Sequence, residues 1–325
     1  MSIDALRSMV GRRDAADLEP HDLPAQLPRP RGPVTAALLD YLRRDPASTR
    51  VKPACLTWSG ATAEAATDHD LQLALWLAYE LPYRGLAGVD DAWEWHPGLV
   101  EVIDEWEDLQ LDALVSVTRG SSGLVAPGTV SLDDGSTPLS QTLLSEATVD
   151  QFREFLVHRS IYYLKAADPL TWGLPRLSGS VQAAMTSMHA DDSRSGAVGA
   201  GNAKHFRSLL AESGLDTRYG RYLDCVPGIT LLTSNVISMF GRRRRLPAAL
   251  LGHLAVADVV HDQTASRDLA GGLAVAEPRQ RADILFGARC AAYANEQFTA
   301  WMLSRWAAGR SSLLQGVGDT LSATP

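Results

Sequence analysis

Cysteine is scarce. There are three in 325 residues, Cys55, Cys225 and Cys290, none close to another in sequence. An odd count with no close pair argues against a disulfide framework and against a zinc ribbon. Buried free thiols in a reducing compartment are the expectation. Long apolar runs are also missing. No stretch approaches the ~20 residues needed to cross a bilayer, and the N-terminus carries no apolar core of a secretory signal. The expectation is a soluble, cytoplasmic protein with no membrane partner. Basic charge is in short supply: 30 Lys and Arg face 38 Asp and Glu, for a formal net charge of −8 and a pI near 5.5. Such a chain gains little from phosphate backbones, so nucleic acid is not an expected partner. The one basic run, residues 242–245, reads as a solvated helix end or turn. Strand-like alternation is rare and no repeat of fixed period occurs.

What the chain does have is apolar content, 46%, and helical spacing. That content suffices for one large core. Residues 19–33 hold five prolines in fifteen positions. Proline removes a backbone donor and restricts its predecessor, which predicts an extended, poorly ordered arm over residues 1–33. From residue 34 the pattern turns helical. Residues 68–80 put Leu71, Leu75 and Ala78 on one face, with Asp68 or Asp70 as cap. A helix starting at Pro97 runs to about residue 117. Residues 119–140 read as a long loop rich in Gly, Ser, Asp and Pro. Further helices are predicted at 148–166, 178–191, 203–213, 229–240, 247–261 and 277–309. One helical domain over 34–310, followed by a flexible tail over 311–325, is the predicted organisation. An all-α bundle follows from helix-only patterning.

Familiar catalytic motifs fail. Gly196 and Gly201 bracket four residues as in a phosphate loop, but Asn202-Ala203 follows where Lys-Ser/Thr is required. Gly120-Ser121-Ser122-Gly123 lacks the spacing of a nucleophile elbow. No His-Glu-x-x-His is present.

Three stretches carry a family likeness. The first is Leu75-Trp76-Leu77-Ala78-Tyr79-Glu80-Leu81-Pro82-Tyr83-Arg84-Gly85 with Asp90-Asp91-Ala92-Trp93-Glu94-Trp95. The second is Pro175-Arg176-Leu177-Ser178-Gly179 leading to His189-Ala190-Asp191-Asp192. The third joins Ser234-Asn235, Met239-Phe240-Gly241, Gly252-His253-Leu254-Ala255, Val260-His261-Asp262-Gln263 and Asp268-Leu269-Ala270-Gly271-Gly272. Together they resemble the iron-containing redox enzymes of the haem-oxygenase-like diiron oxidases and oxygenases, over about residues 34–306. The resemblance implies a haem-oxygenase-like helical bundle. It also implies non-haem iron, one or two ions, held by carboxylates and imidazoles, with open positions for O2. Known relatives act on small amine- or carboxylate-bearing molecules.

Carried over position by position, the likeness makes Glu80, Asp192, Asp258 and His261 the candidate metal ligands. Glu80 sits in an apolar helix where a lone carboxylate is costly to bury; the alternative is an i,i+4 partner for Arg84. Asp192 stands where the family has a glutamate, and a loop aspartate at a helix end is its bland alternative. Asp258 and His261, at i,i+3, share one helix face; a local hydrogen bond is the other reading. His189, His205 and His253 are weaker candidates, and Asn202 occupies a position where the family has a histidine. The family's His-x3-Asp-x2-His element begins with Leu254 here. The chain also joins Ala255 directly to Val256-Ala257-Asp258, where family members insert a further glutamate and a loop. Such a shortened core would leave an apolar patch that a homodimer would cover.

Two functional classes follow. One is an iron oxidase or oxygenase using O2 on a small organic substrate. The other is a derivative that keeps the fold for binding or regulation and has lost the chemistry, as Asn202, Leu254 and the gap suggest. A lesser third, metal-independent catalysis, would need a nucleophile, for which Cys225 is the candidate.

Overall fold

The computed structural model describes residues 23–49, 54–119, 138–193, 202–257 and 264–314. Among them there is no strand; a single parallel bridge joins Ala25 to Leu86. The longer helices are α1 (Pro33–Leu42), α2 (His69–Tyr83), α3 (Pro97–Thr118), α4 (Pro138–Ser145), α5 (Val149–Tyr163), α6 (Gly179–Ser193), α7 (Asn202–Glu212), α8 (Gly228–Arg242), α9 (Pro247–Ala257) and α10 (Arg281–Ala307). The all-α bundle expected from sequence is the architecture found among the described residues.

Helix starts follow local chemistry. Asp68 caps α2, its side chain accepting from the Leu71 amide at 2.7 Å. Asp70, the alternative cap, instead caps α1, accepting from the Val34 and Thr35 amides at 2.8 Å each. Thr148 and Gln151 form a reciprocal capping box on α5. Pro97 opens α3 at a position where its missing N–H costs nothing.

Two differences from the sequence reading have plain causes. Residues 138–140, read as the end of a loop, join residues 141–145 in α4, which lays Leu139 against Phe298 and Met302 of α10; residues 120–137 lie outside the described residues. The helix predicted over 277–309 begins only at Arg281, because Pro278 cannot donate and the chain before it makes a short helix, Gly272–Ala276, and a 3-10 turn.

Both ends of the described chain are packed. In the segment read as a poorly ordered arm, Ala25 is buried and its carbonyl accepts from the Ala87 amide at 2.9 Å. In the segment read as a flexible tail, Ser312 and Leu313 are buried. The Ser312 amide and hydroxyl both donate to Glu154, at 2.8 and 2.6 Å. The same hydroxyl lies 3.1 Å from Nε2 of His158, whose Nδ1 lies 2.7 Å from Thr230 Oγ1.

Central α2 is buried along nearly its whole length and packs on α8. A buried amide seam sets their register: Asn235 Nδ2 donates to the Gln72 carbonyl and side chain at 2.8 and 2.9 Å, and Gln72 donates to Gln110 of α3 at 2.8 Å. The closest helix pair is α9 with α10. A Cβ on Gly252 would lie 1.9 Å from the Ile284 carbonyl oxygen, and one on Gly287 1.8 Å from that of Ala249. Only glycine allows this approach.

Gly252→Ala or Gly287→Ala should therefore force the two backbones apart, costing about 1–3 kcal/mol or more, read as a lowered midpoint in chemical denaturation. A second prediction concerns pH. Burial pushes the imidazoles of His158 and His253 down to about 3, with Arg159 adding to the effect on His158. Unfolded, each titrates near 6.5. Below that pH the unfolded chain binds protons that the native chain refuses. Stability should thus fall as pH drops from about 6.5 towards 3, by up to about 1.4 kcal/mol per pH unit per histidine. Urea unfolding between about pH 7 and 5 reads this slope, and His253→Leu should reduce it.

Candidate functional site

Glu80 lies fully buried in the last turns of α2. Trp76, Glu80 and Tyr83 stand at i, i+4 and i+7, which puts them on one face. Pro82 does not stop this helix, which continues to Tyr83 and ends at Arg84. Opposite that face, α5 ends at Tyr163 and the following turn delivers Lys165 into the core. Its ammonium donates to Glu80 Oε2 at 2.6 Å, the two side chains being 1% and 0% exposed. The same oxygen accepts from the Tyr219 hydroxyl at 2.8 Å. Lys165 Nζ lies 5.0 Å from the Trp76 ring centroid, 5.1 Å from Tyr83 and 5.7 Å from Tyr219. These are cation–π distances. Burial, then the field of Glu80, holds the Tyr219 phenol well above its ordinary range. Tyr83 is likewise raised by burial and donates to Ser238 at 3.2 Å. Glu80 Oε1 has no hydrogen-bond partner.

The i,i+4 pairing of Glu80 with Arg84 is not what forms. Arg84 turns outward to Asp168, at 2.6 Å, and to the Leu164 carbonyl, at 3.3 Å. It thereby clamps the turn that carries Lys165, and it lies 4.9 Å over the Tyr219 ring. Two open clefts flank the cage. One, of about 650 Å³, is lined by Leu23, Leu27, Arg218, Arg221 and Tyr219. The other, of about 550 Å³, is lined by Pro82, Tyr83, Arg84, Asp90 and Glu94.

Among the described candidates, none joins Glu80 in a group of three or more possible metal ligands. Asp258 and His261 lie outside the described residues, and so do the side chains of Asp192 and Asn202, both on helices. His189 sets its Nδ1 3.2 Å from the Ala167 carbonyl oxygen, and His205 is exposed. His253 is buried on α9, beside Phe240, with both ring nitrogens unpartnered. Cys225 is buried and its thiol pushed up to about 11 by burial, the reverse of what a nucleophile needs. Cys290 is buried as well, whereas Cys55 is exposed, against the expectation of burial for all three. The basic run is partly spent inside the molecule: Arg242 and Arg243 reach the buried Glu107 at 2.8 and 2.6 Å.

Sequence reasoning missed Lys165 and Tyr219. A lysine ending the run Tyr162-Tyr163-Leu164 was the available signal for the first. Nothing local marks the second, which enters from an irregular segment far along the chain.

Residues 153–257 match the family of iron-containing redox enzymes. The recognition made from motifs is supported over that span, which contains Lys165, Asp192, Tyr219 and His253. Glu80, Asp258 and His261 stand outside it. The match supports a general oxidoreductase role. No curated protein and no solved structure shows a significant match to the chain. No described helix is long and apolar enough to cross a membrane.

Whether the residues fit the family's iron can be tested at Glu80, and there they do not. Its Oε2 is engaged by an ammonium, which repels a divalent cation, and no three His, Cys, Asp or Glu side chains group as a metal site among the described residues. Replacing either partner alone, Glu80→Gln or Lys165→Met, should cost about 3–5 kcal/mol by stranding a buried charge. The double variant should recover most of that loss, which a urea-denaturation double-mutant cycle measures.

Proposed function

We propose that this chain is a haem-oxygenase-like oxidoreductase acting with O2 on a small amine- or carboxylate-bearing organic molecule, with non-haem iron as its cofactor. The observation that carries this reading is the family match over residues 153–257 on an all-helical bundle. The cleft at Tyr219 adds support, because small-molecule sites are concave, mostly apolar and carry few polar groups. The first cleft is lined by Arg218 and Arg221, both paired with Asp216, and by Asp224; the second is lined by Asp90 and Glu94 beside Arg84. Asp258 and His261, with Asp192, are the ligands on which the iron reading depends, since Glu80 is bound to Lys165.

A second reading is favoured by that same ion pair. A member of the family whose buried glutamate is neutralised by its own lysine is suited to binding or regulation without metal chemistry. Iron content separates the two. After anaerobic reconstitution with Fe(II), about one or two ions per chain are expected, with loss in Asp258→Ala. A well-folded helical protein that binds no iron would sink the oxidoreductase reading and leave the second.

A further inference from the structure

A carboxylate faced by three aromatic rings is the chemistry that recognises an organic ammonium: opposite charge on one side, negative ring faces on the others. The cage around the Lys165 ammonium has this composition, with Glu80, Trp76 and Tyr83 on α2 and Tyr219 from the segment after α7. The chain fills it with its own Lys165. A divalent transition ion asks for something else, several oxygen or imidazole donors converging on one point. Among the described residues, Glu80 Oε2 meets an ammonium and a phenol that acts as donor, and no second carboxylate or imidazole joins Glu80 in a metal-binding group, although its Oε1 has no hydrogen-bond partner. Fixing the cage from outside, Arg84 holds the 164–168 turn through Leu164 and Asp168.

We propose that the buried Glu80 centre is an ammonium site, closed by Lys165 as a built-in ligand, and that Glu80 does not bind metal in this protein. The inference concerns the same site as the proposed function but does not rest on it, because it holds whether iron binds elsewhere or not.

Two experiments on the full chain decide it. In the first, Fe(II) is titrated anaerobically by calorimetry, and bound iron is counted, for the natural chain and for Glu80→Gln. Equal stoichiometry and affinities within a few-fold are expected, including equal absence of binding. Iron content halved, or affinity weakened tenfold or more, in a folded Glu80→Gln chain would overturn the proposal. In the second, Lys165→Ala empties the cage, and its thermal unfolding is followed with n-butylammonium or with Mn(II). Butylammonium should raise the midpoint by several degrees through binding to the folded state, with no such rise in Glu80→Gln/Lys165→Ala. Stabilisation by Mn(II) instead, or by neither, would overturn it. Should Lys165→Ala not fold, the iron comparison still decides. Absence of iron from the natural chain defeats the proposed cofactor and leaves this inference standing.

Discussion

The Glu80–Lys165 pair is the constraint to which the centre of the bundle answers. Two opposite charges withdrawn from water carry a desolvation cost of several kcal/mol each, which their attraction offsets only with good geometry and added hydrogen bonds. The surroundings supply both. Tyr219 donates to the carboxylate, and three ring faces surround the ammonium. Each of these groups comes from a different place in the chain: α2, the turn after α5, and the segment between α7 and α8. Satisfying one ion pair therefore fixes three segments relative to one another. The outer salt bridge from Arg84 to Asp168 then holds the turn without entering the core.

A second buried carboxylate, Glu107 of α3, repeats the pattern against Tyr79, the residue before Glu80 on α2. Tyr79 donates to Glu107 at 2.9 Å, and Arg242 and Arg243 reach its other oxygen from the end of α8. Burial raises the Glu107 carboxyl, against the pull of the two arginines and the hydrogen bonds from Arg243 and Tyr79. With the Gln72–Gln110–Asn235 seam, α2 is pinned at three levels by polar contacts whose loss would leave unsatisfied groups in the core. The α9–α10 pair is held in the opposite way, by reciprocal glycines that bring backbones together with no polar contact at that crossing. His253 lies buried on α9 with neither ring nitrogen hydrogen-bonded, and burial lowers its pKa.

Function has to be reasoned from this uneven picture. The family match points to redox chemistry, while Glu80, a candidate ligand buried in the described core, is already paired with Lys165. A carboxylate already paired with an ammonium is better suited to holding a cation of fixed shape than to exchanging ligands at a metal. The clefts on either side give small molecules an approach to its walls at Tyr219 and Tyr83, not to the carboxylate itself.

Helices were legible in the sequence wherever apolar spacing, a capping Asp or Thr, or a first-turn proline marked them, because those signals act within a few residues. The face carrying Trp76, Glu80 and Tyr83 could be read in the same way. Burial of Glu80 was readable too, from the apolar run around it. What no local rule could supply was its partner. Arg84, four residues on, satisfied every short-range criterion, yet it lost to Lys165, 85 positions away. The choice depends on which side chain the packed helices bring inward and which they leave at the surface, and that is settled only once α2, α5 and the 219 segment meet. Sequence determined the class of fold and the need for a counter-charge at Glu80; tertiary structure decided that an ammonium supplies it.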